Sequence, residues 1–365
     1  MKRITEKRER QGSFTVAMAL LGSLIGAGFL SGQELCQFFG IHGSWLFAAV
    51  TLSMTVMGLI GAVMLRLAMD TGEGRMDKIV VFFDCQPLRV SIAVLEILFV
   101  FMIYLVGISA FGSLLDQMFG VSAAVGGALF TVLVFFLSLF GIKGLLRVFS
   151  LVIPTLVVLT VLISLVAMAR AEGFAFPTGA PQGAVSGIWP LDGMSYAAFA
   201  LFCMLPVLVP FGASMHPKKR PVSRGICVGM LLFTALALVI LLAIATDPEV
   251  RESALPMIEL ATRQSVVFGV VYGFLLMCAI FSATLSAAAS ISEYFARTVA
   301  SKKRFLIPVM AFVSLAAFAL GLFGFENLVS VLFPIFGYLG TLPIMLLLIH
   351  AWRFYRSKRK NGVNT

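Results

Sequence analysis

The first long apolar stretch of the chain is interrupted near its middle by glycines, in the sequence GSLIGAGFLSGQE from Gly22 to Glu34. A helix that crosses a bilayer has no water to satisfy broken backbone hydrogen bonds. Irregular backbone therefore survives at that depth only where protein or a wet cavity covers it. A plain membrane anchor gains nothing from such a run. The pattern instead predicts a junction of two half-helices, at which freed amides and carbonyls bind a solute.

The composition excludes an ordinary soluble domain. Of 365 residues, 60% are hydrophobic and only 12% are charged, whereas about a quarter of the residues in a soluble domain are charged. The net charge of +10 does not indicate nucleic-acid binding, because the charges lie in short clusters between apolar runs. The lipid bilayer is the expected partner.

A spanning helix needs roughly 20 mostly apolar residues. Ten segments qualify, at approximately 13–39, 44–69, 90–115, 121–141, 148–169, 192–213, 225–246, 266–292, 305–323 and 328–351. With the N-terminus in the cytoplasm, the inside segments carry 24 of the 27 Lys and Arg residues, and the outside loops carry only Arg170, Arg251 and Arg263. This asymmetry predicts ten spans in the inner (cytoplasmic) membrane of a cell, with both termini cytoplasmic.

Ten spans divide into two groups of five, and an odd number in each half inverts the second half. We therefore predict an all-α polytopic fold in one domain, residues 1–365, with repeats at about 13–170 and 190–351. Paired interruptions are typical of this plan. Pro206 predicts a kink or an opening in span 6, next to Phe202 and Cys203 as candidate substrate contacts.

The string Ile25-Gly26-Ala27-Gly28-Phe29 resembles the first-helix signature of the amino acid–polyamine–organocation superfamily. With Ser31 to Glu34 and Gln37-Phe38-Phe39, the longer run resembles its YkvI-like membrane protein branch. The resemblance implies a LeuT-like five-plus-five inverted repeat with broken helices 1 and 6. It also implies a central site between spans 1, 3, 6 and 8.

Gly26, Ala27 and Gly28 are the first candidates for substrate binding. If they are unwound, a half-helix begins near Phe29, and its free amides suit a carboxylate or another anionic group. The alternative is close helix packing, for which membrane proteins also use small residues at this spacing.

Two polar residues within spans 1 and 3 are further candidates. Glu34 is an intramembrane carboxylate and therefore a functional hypothesis, including as a proton carrier; the alternative is a hydrated residue of an outer vestibule. The Tyr104 phenol in span 3 is a candidate for binding a substrate carboxylate, with simple aromatic lining as the alternative. Asp192 is expected to cap the helix of span 6.

The resemblance also implies a cation site, since some superfamily members hold sodium between spans 1 and 8. The matching positions are Gly22, Ile25, Ala283 and Ser286, whereas Ala287 departs from the pattern by lacking a hydroxyl. Oxygen ligands suit a hard cation. The alternative is that the span 8 hydroxyls bond carbonyls of their own helix.

These patterns together predict a secondary transporter of a small organic solute. An amino acid or related zwitterion is the class implied by the resemblance, with sodium or protons as the coupling ion and no other cofactor. The sequence has no phosphate-binding GxxxxGK[ST] run and no grouping of nucleophile, base and orienting residue, so an enzyme is not expected. The alternatives are a ligand-sensing receptor subunit of the spore germinant type on the same fold, and a channel.

Overall fold

The computed structural model describes residues 13–83, 85–140, 145–176, 178–179, 183–215, 219–298 and 306–360. These residues are largely helical and form no strand, so the predicted all-α class is confirmed. Several of the basic clusters behind the predicted orientation lie wholly or partly outside these ranges, at 1–12, 143–147, 218–224 and 297–304.

The first apolar segment forms three short helices in place of one long one. These are α1 (Ser13–Leu24), α2 (Ala27–Leu30) and α3 (Gln33–Phe39). The remaining helices are α4 (Leu46–Thr71), α5 (Met76–Val80), α6 (Gln86–Phe119), α7 (Ala123–Phe140), α8 (Leu145–Arg170), α9 (Trp189–Ser214), α10 (Lys219–Ile244), α11 (Pro248–Arg251), α12 (Pro256–Gln264), α13 (Val266–Thr298), α14 (Leu306–Gly321) and α15 (Phe325–Lys360).

Seven helices in the described part of the chain are long and apolar enough to cross a membrane. They correspond to α4, α6, α8, α9, α10, α13 and α15. The other three predicted segments contain shorter apolar helices, namely α1, α7 and α14. Each predicted segment thus contains at least one apolar helix, as expected of a polytopic membrane protein.

The predicted break in span 6 is wrong. Helix α9 is uninterrupted from Trp189 to Ser214, with Pro206 and Pro210 both inside it. Each proline removes one N–H donor, and a membrane helix tolerates this loss where neighbouring helices or small local adjustments compensate. Because α9 packs against α1, α3, α4 and α15, it has such support along its length.

Two close helix crossings bring the central helices together. At the crossing of α6 and α13, a Cβ added to Gly107 would lie 2.1 Å from Thr284 Oγ1. At the crossing of α9 and α15, a Cβ on Gly337 would lie 2.4 Å from Ser195 Oγ. Only glycine fits at either point. These crossings place α6, α9, α13 and α15 around the broken first segment.

Candidate functional site

A cavity of about 490 Å³ lies where α1 gives way to α2, within the range typical of ligand pockets. Its wall is formed by residues 22–28 and Leu30, by α6, by α9 and by α13, with two residues from α15 and one each from α3, α5 and α8. Most of the lining is apolar, and its aromatic members are Phe99, Tyr196, Phe199, Phe202, Phe325 and Phe333.

The first interruption of the chain, at Ile25 and Gly26, faces this cavity. Gly26 is extended, with φ −112° and ψ 177°. The amides of residues 26–29 make no helical hydrogen bond to the carbonyls one turn earlier. The break was predicted at residues 26–28. It lies slightly earlier, because Gly26 is the N-cap and Ala27 already begins α2.

Two glycines at this interruption, Gly22 and Gly26, are not packing contacts. A Cβ built on Gly22 or on Gly26 meets nothing within 4 Å in the described part of the chain. Close helix packing, the alternative considered for these residues, therefore does not account for Gly22 or Gly26. At Gly28, a Cβ would lie 3.2 Å from Glu34 Oε2 and 3.6 Å from Phe333 Cε2.

A second interruption, at Ser31 and Gly32, was not predicted. Gly32 has a left-handed φ of +83°. The protein itself completes this break, since Tyr272 Oη donates to the Leu30 carbonyl at 2.6 Å and the Met257 amide donates to the Ser31 carbonyl at 3.0 Å. The only sequence signal was the Ser31-Gly32 pair. Its partners are more than 200 residues away in the chain.

Glu34 lies in the first turn of α3 and lines the cavity. Its side chain is buried, and Tyr196 Oη donates a hydrogen bond to Oε1 at 3.0 Å. Oε2 accepts no hydrogen bond from any residue in the described ranges. Tyr196 was absent from the sequence prediction, although it directly determines the orientation of the carboxylate.

Tyr104 is not part of this site. The side chain is fully buried, and its hydroxyl donates to Ser314 Oγ of α14 at 2.9 Å. The residues of α6 that line the cavity include Phe99, Ile103 and Val106. The structure therefore turns Tyr104 away from the cavity and corrects the expected position of its phenol.

Phe202 and Cys203 both line the cavity from α9, as does Pro206. The Phe99 ring packs edge-on against the Phe202 ring, with centroids 4.8 Å apart. Because proline has no N–H, the Phe202 carbonyl lacks its usual helical donor even though α9 is continuous. The unbroken helix thus still leaves one backbone acceptor without its helical partner beside the cavity.

The four positions of the expected cation site are only partly brought together. Gly22, Ile25 and Ala283 line the same cavity, whereas Ser286 is not among the described residues that do so. The Ser286 hydroxyl donates to the Ser282 carbonyl at 2.8 Å, which is the local bond considered as the alternative. A sodium site at these residues stays a prediction.

Asp192 is not the helix cap that was expected. Ile188 is the N-cap of α9, and Asp192 lies inside the first turns with its side chain fully buried. Its carboxylate accepts hydrogen bonds from the amides of Ser186 and Gly187, at 2.7 and 3.0 Å. His42 Nε2 lies 3.2 Å from Asp192 Oδ2. Asp192 therefore fastens the preceding loop to α9 and lies outside the cavity lining.

No protein-family model matches the sequence. Two proteins of Bacillus subtilis (strain 168) are similar over nearly the whole chain. The uncharacterized membrane protein YkvI is 22% identical over 339 residues, covering 91% of this chain and 94% of that protein. The uncharacterized protein YyaD is 24% identical over 345 residues, covering 91% and 95%.

Solved structures share the fold of this chain. The crystal structure of MhsT in complex with L-phenylalanine has a TM-score of 0.60 at 16% identity and covers 96% of this chain and 99% of MhsT. A manganese transporter of Eremococcus coleocola gives a TM-score of 0.58 at 12% identity, covering 97% of this chain and 88% of the transporter chain. Mhp1 is a nucleobase-cation-symport-1 family transporter with bromovinylhydantoin bound. It gives a TM-score of 0.52 at 13% identity, covering 94% of this chain and 72% of Mhp1. This chain is therefore a membrane protein that shares its fold with MhsT and with two proteins described as transporters.

Proposed function

We propose that this chain is a secondary active transporter that moves a small organic solute by alternating access. One observation carries the proposal: a cavity of about 490 Å³ meets a helix break whose amides and carbonyls lack helical partners. The shared fold adds support, because MhsT, the manganese transporter and Mhp1 are all described with a transported or bound small species. They are transporters and not enzymes, in agreement with the sequence.

The proposed architecture has ten spans in two inverted groups of five, residues 13–170 and 190–351. The correspondence between the ten predicted segments and apolar helices supports it. The distribution of 24 Lys and Arg on one side against 3 on the other supports cytoplasmic termini and an inner-membrane location. The bilayer is then the permanent partner of the chain.

In the proposed mechanism, the solute binds at the first interruption, and a bundle that includes span 1 and α9 rocks against the remaining helices. Span 1 supplies the open amides, whereas continuous α9 adds the Phe202 carbonyl, which Pro206 leaves without its helical donor. Pro206 and Pro210 weaken single turns of α9, and we propose that bending at these turns replaces a full break.

The resemblance favours an amino acid or related zwitterion as the solute. The lining is compatible with this class, because it combines the free amides of the break with the Glu34 carboxylate. Sodium at Gly22, Ile25, Ala283 and Ser286, or a proton carried by Glu34, is the proposed coupling ion.

Counterflow in liposomes tests the function. Vesicles containing the purified protein are preloaded with a mixture of unlabelled L-amino acids and phenethylamine, and the uptake of each labelled compound is followed. A transient, saturable accumulation of any label supports a carrier. Saturable binding without flux under any gradient would indicate a receptor, and flux without saturation would indicate a channel. Either result would refute the proposal.

A further inference from the structure

The charged groups of the cavity lining all have the same sign. Among the described residues that line it, Glu34 and Glu96 are the ionisable acids, and there is no Lys, Arg or His. A buried carboxylate is costly unless a cation or several hydrogen bonds accompany it. The lining itself supplies no such cation, so a positive charge on the occupant is the best match for an ionised Glu34.

Glu34 presents one free oxygen to that occupant. The side chain is only 8% exposed, Oε1 is engaged by Tyr196, and Oε2 has no hydrogen-bond donor within the described ranges. Oε2 lies 3.2 Å from the point where a Cβ on Gly28 would stand. The free oxygen therefore lies beside Gly28, and both residues line the cavity.

One aromatic ring adjoins the same point, and two more follow it along the cavity wall. Phe333 Cε2 lies 3.6 Å from the Cβ position of Gly28, so the ring and Glu34 Oε2 border one small space. Phe333 stacks on Phe199 with centroids 4.7 Å apart, and Phe199 lies 6.0 Å from Phe99. Ring faces attract an ammonium group within about 6 Å, and the same walls accommodate an apolar body.

A carboxylate is a poor fit at this point. The free amides near Gly28 would attract an anion, but the anion would have to share their surroundings with Glu34. Two carboxylates at close range repel each other strongly in a water-poor site. The acid of the protein therefore favours an ammonium at the first interruption and disfavours the carboxylate of a zwitterion.

From this charge pattern we infer that the preferred solute is an apolar amine with a net positive charge. Its ammonium binds Glu34 Oε2 beside Phe333, and its apolar body lies between the rings of α6, α9 and α15. The inference rests on the proposed function, because it takes the cavity as the solute site. It keeps the small organic solute of that proposal and replaces the zwitterion favoured by the resemblance with a cationic amine.

Three ligands with a phenylethyl body separate the possibilities. Phenethylamine carries the ammonium alone, L-phenylalanine carries both charges, and 3-phenylpropionate carries the carboxylate alone. Binding to the full-length purified protein is measured by thermal shift. Phenethylamine should bind roughly 10-fold or more tightly than L-phenylalanine, the size expected for one charged hydrogen bond without an opposing repulsion. 3-Phenylpropionate should be the weakest of the three.

Glu34→Gln should weaken phenethylamine binding by about 10- to 100-fold without weakening 3-phenylpropionate. Glu326→Gln is the matched control, because it makes the same change at an exposed carboxylate in a first helical turn. Tyr196→Phe keeps the Glu34 charge and should weaken the amine less than Glu34→Gln. If Glu34→Gln does not fold, the order of affinities of the three ligands for the wild-type protein still tests the inference.

Equal or tighter binding of L-phenylalanine or 3-phenylpropionate would overturn the inference. So would unchanged amine affinity in Glu34→Gln, or no shift with any of the three ligands. A shift with sodium chloride over potassium chloride that Glu34→Gln removes, without an amine effect, would assign Glu34 to the coupling ion and also overturn it. Saturable L-phenylalanine counterflow with no amine preference would overturn the substrate class alone and leave the transporter proposal standing.

Discussion

Span 1 is interrupted twice within eight residues, and the two interruptions differ in what completes their backbone. At Ser31 and Gly32, Tyr272 and the Met257 amide bind the carbonyls that the break releases. At Ile25 and Gly26, the amides make no helical bond and the neighbouring space is open. The protein closes one break, and the other stays open to the cavity, where we propose that a solute binds.

This difference shows that a helix break in a membrane protein is not in itself a binding site. The backbone groups of any break need partners, and the origin of those partners separates a structural bend from a functional opening. A substitution at the closed break should therefore change stability. A substitution at the open break should change binding.

Gly32→Ala is expected to have the largest effect on stability. The left-handed φ of +83° is unfavourable for alanine, and the added Cβ would lie 2.7 Å from Ile244 Cδ1. The strain and the overpacking together should cost about 2–4 kcal/mol, seen as a clear fall in the melting temperature of the purified protein. Gly26→Ala is the control, and its melting temperature should hardly change, since its Cβ meets nothing within 4 Å. If Gly32→Ala and Gly26→Ala lowered the melting temperature equally, the distinction between a closed and an open break would be wrong.

Gly26→Leu should have the largest effect on binding. A leucine side chain at this position would fill the open space of the first interruption, and we expect at least a roughly 100-fold loss of affinity, equivalent to about 2.7 kcal/mol. Expression and melting temperature should be nearly unchanged. Gly173→Leu, at an open glycine in a loop, should leave the affinity unaltered. Normal binding by Gly26→Leu would refute the proposed site.

Tyr272→Phe tests how the second interruption is completed. Loss of the hydroxyl leaves the buried Leu30 carbonyl without this donor, which should destabilise the protein by about 1–3 kcal/mol. Tyr104→Phe is the matched control, since its hydroxyl bonds a serine side chain that can turn to another partner. The fall in melting temperature should be greater for Tyr272→Phe. Equal falls would mean that the Leu30 carbonyl has no special need of Tyr272.

We expect the smallest effect from Ser286→Ala, which tests whether the carbonyls of the first interruption bind an ion. If sodium binds between Gly22, Ile25, Ala283 and Ser286, losing one oxygen ligand should weaken sodium-dependent stabilisation several-fold, since affinity depends on the ligand set. Ser138→Ala, which removes a similar local helix bond in α7, should not. If sodium stabilises Ser286→Ala as strongly as the wild type, the ion binds elsewhere.

The first interruption was predictable because its cause is local. Glycines at the centre of an apolar segment are a strong signal where backbone irregularity is costly. The ten apolar segments were predictable for the same reason, since hydrophobic length is set by the bilayer. Both predictions depend on residues that are adjacent in the sequence.

The sequence did not reveal features that depend on distant partners or on helix phase. Tyr272 and Met257 close the second interruption from far along the chain. Tyr104 faces α14 because of the rotation of α6, whose central part from Ile97 to Ile108 is almost uniformly apolar, so that the sequence does not reveal its cavity face. Pro206 misled the prediction, because neighbouring helices can support a turn that would open in isolation.

Hydrogen exchange of individual backbone amides in lipid nanodiscs tests the central claim most directly. Without solute, the amides of Gly26, Ala27 and Gly28 should exchange rapidly, whereas the Gly32 amide, bonded to the Phe29 carbonyl, should be protected. Saturating phenethylamine or L-phenylalanine should slow exchange at residues 26–28 alone, because the bound solute excludes water from the first interruption. Protection of residues 26–28 in the absence of any solute would contradict the account, because the protein would then already complete both breaks.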